Sequence, residues 1–82
     1  MSTQFDKELD CSGLACPMPV VETKKAIDKL QQGQVLRMIS TDPGSVSDIQ
    51  TWTGRTGNQL LSHETDSGKY IFYIVKVTST HT

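Results

Sequence analysis

Pro17 and Pro19 stand two residues apart in the segment Cys16-Pro17-Met18-Pro19, and few backbone conformations accept both. Inside a helix, proline removes an amide donor and clashes with the preceding turn. In the first turn it is well tolerated, because the amides there have no intrahelical partner. The residue before a proline is also pushed away from helical φ/ψ. The pattern therefore predicts a helix that begins here, with Cys16 at the N-cap and Pro17 at the first helical position. At about 100° per residue, Pro19, Val20, Thr23, Ala26, Ile27 and Leu30 share an arc of about 120°, while Glu22, Lys25, Asp28, Lys29 and Gln32 cover the opposite side. Gly33 is expected to end this amphipathic helix as its C′ residue.

The flanking segments read as strands. Phe5, Lys7, Leu9 and Cys11 alternate with Asp6, Glu8 and Asp10, the period of a strand with one buried face, which Cys11 shares with Leu9. Ser12 to Ala15 form a short connection. Beyond Gly33, Val35 to Ser40 is an apolar strand, and two strands bracketing a helix of this length predict a parallel, right-handed crossover. Thr41, Asp42, Pro43 and Gly44 form a turn, and Ser45 and Asp48 have the spacing of a capping box for a second helix. Its inner face is Val46, Ile49, Trp52 and Thr53, and Gly54 and Gly57 punctuate its end. Leu60 to Thr65 and Tyr70 to Val77 are strands around a turn at Asp66, Ser67, Gly68 and Lys69. The order is βαβαββ. Two helices cover one face of a four-stranded sheet, so the expected fold is α+β, a two-layer α/β sandwich. All 82 residues are expected to form a single domain with a core from Phe5 to Val77 and a frayed tail from Thr78 to Thr82. Tyr70, Phe72 and Ile74 point opposite to Ile71, Tyr73, Val75 and Val77, so the last strand has a second apolar face, a candidate contact for a partner. A monomer or weak oligomer is expected.

Composition narrows the function. Eight Lys+Arg against nine Asp+Glu give a net charge of -1, which leaves no basic excess to seek nucleic acid. No window approaches the roughly 18 apolar residues of a membrane span, and Met1 to Asp10 has no apolar signal core. The expected location is the cytoplasm. In that reducing compartment the two cysteines are not expected to be a structural disulfide. A bond between Cys11 and Cys16 would need the intervening loop to fold back. His63 and His81 match no zinc spacing with the cysteines, so no metal site is expected.

The chemistry is expected where the first strand hands over to the first helix, because sites in α/β units gather beyond the carboxyl ends of parallel strands. Cys16 sits there. A helix N-terminus favours the reactive thiolate, although Pro17 and Pro19 withhold two amides and leave those of Met18 and Val20 to serve the sulfur. Cys11 is read as a core thiol. A Cys/His hydrolase would need the fold to deliver His63, which is read instead as a solvated strand residue. Asp42 is read as a turn residue at the start of the second helix.

Leu9, Asp10, Gly13, Leu14, Cys16, Pro17 and Pro19 spell Leu-Asp-x-x-Gly-Leu-x-Cys-Pro-x-Pro, and after the helix come Thr41, Asp42 and Pro43. This pattern, from about Leu9 to Val77, resembles the TusA/SirA-like sulfur-carrier family. The resemblance implies a mixed four-stranded sheet with two helices on one face, similar to the C-terminal domain of translation initiation factor 3. It implies a sulfurtransferase in which Cys16 carries sulfur as a persulfide without a cofactor, supported by Asp10, Gly13, Pro17, Pro19 and Asp42. The implied donor is a cysteine desulfurase or rhodanese-type protein, and the acceptor is a cysteine of a DsrE-like or other protein. The implied pathways are tRNA thiolation, molybdenum-cofactor sulfuration or oxidation of reduced sulfur compounds. Two positions depart from relatives: Met18 lies between the prolines where a polar or acidic residue is common, and Gly57-Asn58 replaces a frequent Gly-His pair. Met18 and Val21 fall outside the buried arc of the first helix and are expected to be exposed. They form a candidate docking patch beside Cys16, with Lys24 and Lys25 as a basic rim for acidic partners. The alternatives are a thiol redox sensor using Cys11 and Cys16, and an RNA-binding module suggested by fold analogy alone.

Overall fold

A computed structural model describes residues 4–15 and 17–77. Cys16 and the segment 78–82, including His81 and the expected frayed tail, lie outside the described residues. The elements run β1 (Lys7–Cys11), α1 (Met18–Asp28), β2 (Val35–Ser40), α2 (Ser45–Thr56), β3 (Gln59–Asp66) and β4 (Lys69–Val75). The four strands form one sheet in the order β1-β2-β4-β3, with β1 and β2 parallel and the other pairs antiparallel. This is the expected mixed sheet of a βαβαββ chain.

One face of the sheet carries the core. Leu9 pairs with Met38, Cys11 with Ser40, Met38 with Phe72 and Leu36 with Ile74, so alternation puts these side chains on a common side. Cys11, Leu36, Met38, Phe72 and Ile74 are fully buried there with Ile27 of α1 and Ile49 of α2, so both helices lie on this face. The helical period holds well in α1: Pro19, Thr23 and Ile27 are buried, with Val20, Ala26 and Leu30 beside them. Burying an aliphatic side chain such as Ile27 or Ile49 contributes about 1.5–3 kcal/mol, enough to fix the helices in register against the sheet.

The helix ends depart from the expected boundaries. Pro17, not Cys16, is the N-cap of α1 and Met18 its first residue. The first intrahelical bond runs from the Val21 amide to the Pro17 carbonyl at 3.1 Å. At the other end α1 stops at Asp28 rather than near Gly33. The Lys29 and Leu30 amides turn back to Ala26 and Ile27, tightening the last turn, and the buried Lys76 ammonium donates to the Leu30 carbonyl at 2.7 Å. Gly33 instead serves a turn at φ +88°, donating its amide to the Lys76 carbonyl. Leu30 keeps its core contacts from outside the helix, so its apolar character was read as helical.

The capping box of α2 does not form. Ser45 lies inside the helix, and the N-cap is Gly44, which has no side chain to cap it. The turn is made by Asp42, whose Oδ1 accepts the Gly44 amide at 3.1 Å while its carbonyl accepts the Ser45 hydroxyl at 2.6 Å. Gly57 closes α2 in the left-handed conformation, as its position predicts.

Phe5 is also displaced from its expected face. The ladder begins at Lys7: the Asp6 amide donates to the Val35 carbonyl, and the Asp6 carboxylate, not a backbone carbonyl, accepts the Val35 amide. Freed from the alternation, the Phe5 ring lies 6.5 Å from Tyr73 on the opposite face. The Arg37 guanidinium sits 5.6 Å from the Phe5 ring and 6.0 Å from that of Tyr73, donates to the Tyr73 hydroxyl and pairs with Glu8. Tyr73 is therefore only 2% exposed, and Ile71 on the same face is only 7% exposed. At Tyr73 the second apolar face of β4 is covered within the chain itself, whereas Val77 is 47% exposed.

Candidate functional site

β1 and β2 are neighbours and parallel, with Cys11 opposite Ser40 at their carboxyl ends. The loops that leave them therefore meet, and each leads into a helix. The first loop is fastened at successive positions. Asp10 Oδ1 accepts the Ser12 amide at 2.9 Å, and these Ser12 hydrogen bonds hold the Asp10 carboxyl below its ordinary range. The Leu14 amide returns to the Cys11 carbonyl at 3.1 Å, closing a turn in which Gly13 takes φ +83°. Only glycine takes that conformation without strain. The Gly13 amide donates to Thr41 Oγ1 at 2.9 Å, which ties the first loop to the second. The Met18 amide donates to the Ala15 carbonyl at 2.9 Å.

Cys16 follows Ala15 and precedes Pro17 in this fastened segment. Its own side chain, and the expected N-cap sulfur or a bond to Cys11, lie outside the described residues. The committed Met18 amide removes one of the two donors expected to serve the sulfur, because the turn at Ala15 takes it first. Pro19 is buried against the core, and its carbonyl accepts the Thr23 hydroxyl at 2.7 Å within α1. Asp42 does the turn-forming work expected of it in the second loop.

Cys11 is fully buried, and that burial, with Glu22 and Asp10 adding negative charge nearby, pushes its thiol up to about 11. At neutral pH about one molecule in ten thousand would hold a thiolate there. His63 is exposed on β3, with its ring 6.1 Å from Phe72. β3 and β1 are opposite edges of the sheet, so about 14 Å of strand spacing separates it from the first loop. It cannot serve as a base at that loop. Among the described residues, no three of His, Cys, Asp and Glu gather as metal ligands.

Met18 and Val21 are 40% and 36% exposed, as the helical period requires. The lysines of the expected basic rim each have a carboxylate neighbour. Lys24 pairs with Asp28 at 3.0 Å and Lys25 with Glu22 at 3.6 Å, each within α1. Sequence reasoning passed over Thr41, whose hydroxyl joins the two loops; a threonine after a strand carries no distinguishing signal.

Comparison with known proteins agrees with this arrangement. The family model described as Sulfurtransferase TusA matches residues 7–76. The sulfur carrier protein TusA of Allochromatium vinosum is 47% identical over 72 residues, covering 88% of this chain and 95% of that protein. A longer protein of Aquifex aeolicus, provisionally named a sulfur carrier protein, is 50% identical over 76 residues, 93% of this chain but 39% of its own length. The crystal structure of a SirA-like protein from Desulfitobacterium hafniense superposes with a TM-score of 0.77 at 28% identity, over 89% of this chain and all of that one. No helix among the described residues is long and apolar enough to cross a membrane.

Proposed function

Because the chain belongs to the TusA sulfurtransferase family and is a sulfur carrier, we propose that Cys16 is the carrying atom's host and that the cargo travels as a persulfide. The Cys16 thiolate attacks the outer, sulfane sulfur of a donor cysteine persulfide. The S–S bond of the donor breaks, the donor leaves as a thiolate that takes up a proton, and Cys16 becomes a persulfide. An acceptor thiolate then attacks the terminal sulfur of that persulfide and releases the Cys16 thiolate. The sulfane sulfur keeps its oxidation state throughout, so neither step calls for an oxidant, a reductant or a cofactor.

The observation that carries this assignment is the burial of Cys11, in contrast to the fastened segments that flank Cys16. Cys11 is buried and held protonated, which disqualifies it as a nucleophile. Residues 10–15, which precede Cys16, are fastened by Asp10 and Thr41 at the carboxyl ends of two parallel strands, and the Met18 amide after it bonds to the Ala15 carbonyl. Asp10, Gly13, Pro17, Pro19 and Asp42 then have a common task, to hold the two loops and helix starts. The same contrast weighs against a redox sensor that needs both thiols. Net charge of -1 and in-helix pairing of Lys24 and Lys25 weigh against direct RNA binding.

Donor and acceptor are proteins in this reading: a cysteine desulfurase or rhodanese-type donor, and a DsrE-like or other cysteine-bearing acceptor, in tRNA thiolation or in oxidation of reduced sulfur compounds. Met18 and Val21 supply apolar contact beside the sulfur. A relay assay with radiolabelled cysteine tests the reading. Label should pass from a desulfurase through this chain to a DsrE-like acceptor, and Cys16→Ser should abolish passage while Cys11→Ala retains it. Equal passage through the parent and Cys16→Ser would refute the assignment.

A further inference from the structure

Pro17, Val20, Asp48, Thr51, Trp52 and Arg55 line an open groove of about 280 Å³ between the start of α1 and the outer side of α2. Pro17 follows Cys16 directly in the chain, and Val20 lies on the first turn of α1. Asp48, Thr51, Trp52 and Arg55 follow the i, i+3, i+4, i+7 stripe of one helix side. Trp52 packs its inner edge against the core but remains only partly buried, so the groove has an apolar floor. Small-molecule sites usually enclose about 300–1,000 Å³, so an open groove of this size suits one or two side chains better than a cofactor.

The charges give the groove a direction. Asp48 and Arg55 lie two helical turns apart, about 10 Å along the axis. Lys24, Lys25 and Arg37 each pair with a carboxylate, and Lys76 donates to helix-end carbonyls. Arg55 is exposed and makes no ion pair among the described residues, and it sits one turn beyond Trp52 on the groove wall. Lys7, Lys29 and Lys69 likewise make no ion pair among the described residues, but none of them lines the groove, whereas Arg55 does.

Resting on the sulfur-carrier reading above, we propose that this groove receives the segment of a partner protein that carries the exchanging cysteine. The segment seats an apolar side chain over Pro17, Val20 and Trp52 and places a carboxylate on the Arg55 guanidinium. Asp48 disfavours a second carboxylate at the other end, which sets the direction in which the segment lies. The groove thus adds recognition to a loop that otherwise offers only a sulfur atom.

Matched peptide probes test this by mixed-disulfide exchange at Cys16 in the full chain. The probes are the N-acetylated amide Cys-Ala-Leu-Ala-Ala-Glu and the same peptide ending in Lys, equilibrated in a glutathione buffer and quantified by intact mass. The Glu peptide should be preferred about three- to tenfold at low salt, the range expected when an exposed charge pair changes from repulsive to attractive. Added salt should shrink the preference, Arg55→Glu should reverse it, and Lys29→Glu, an equal charge change outside the groove, should leave it intact. Equal affinity of the two peptides, or the same response to Arg55→Glu and Lys29→Glu, would overturn the proposal. Sulfur uptake by Cys16 from inorganic polysulfide is measured alongside in the parent and in Lys29→Glu, with uptake expected to be the same in both. Loss of uptake in the parent with the peptide preference intact would refute the carrier reading and leave the groove assignment standing.

Discussion

Cys11 should be chemically silent in the native chain, and the size of that silence follows from its surroundings. Burial lifts its thiol to about 11, at least two pH units above an ordinary cysteine. Ionisation alone therefore slows its alkylation about 100-fold at pH 8, since the thiolate is the reacting species. Complete exclusion from solvent multiplies that factor, because the reagent must wait for the sheet to open. Iodoacetamide should thus add once to the native chain, on Cys16, and twice in urea. The same shift has a consequence for stability. A group whose pKa is raised on folding stabilises the native state fully below its unfolded value, near 8.5, and loses that contribution as pH rises through about 11. Over this interval the parent should lose about 2–3 kcal/mol more than Cys11→Ala in urea titrations followed by circular dichroism. Two native adducts forming at similar rates, or parallel pH profiles for parent and variant, would refute the reasoning.

Other residues make separate demands. Asp10 is held ionised by Ser12, so its contribution is present above the ordinary carboxylate pKa and is lost as pH falls through its lowered value; the Ser12 amide resonance should shift in that acidic window and be insensitive to pH in Asp10→Asn. Lys76→Met should lower stability by about 2 kcal/mol in urea unfolding, because a charge-assisted bond to the Leu30 carbonyl is removed from a buried site. Gly13→Ala meets no atom within 4 Å but must adopt φ +83°, so a loss of about 1 kcal/mol is expected from backbone strain alone. Thr41→Val should speed hydrogen exchange at the Gly13 amide while Thr41→Ser preserves its protection, since the bond is to the hydroxyl.

What the sequence revealed depended on how local the cause was. The strand Val35–Ser40 and the buried stripe Pro19, Thr23 and Ile27 were legible because a chain's own period fixes which side faces the core. The burial of Cys11 was legible for the same reason, because it lies in an alternating strand on the face of Leu9. The errors arose where a distant group intervened. Lys76 anchors the carbonyls at the end of α1, so the helix stops before Leu30 although Leu30 stays in the core. Asp42 organises the entry to α2, so that the helix is capped at Gly44 and not at Ser45. Phe5 leaves its alternation because the Asp6 side chain starts the ladder, and it then joins Arg37 in covering Tyr73 across the sheet. Lys24 and Lys25 could be placed on the exposed side of α1, but their pairing with Asp28 and Glu22 depended on side-chain geometry that spacing alone does not weigh. Arg55 stood out only after those pairs were in place.

The central claim is that one of two cysteines carries the sulfur, and peptide mapping by mass spectrometry tests it most directly. The full chain is incubated with a cysteine desulfurase and cysteine, its thiols are capped, and it is then digested. The account predicts a gain of one sulfur atom confined to the peptide containing Cys16, with Cys11 unmodified. Sulfur on Cys11, or no sulfur on either residue under conditions where the desulfurase turns over, would contradict it.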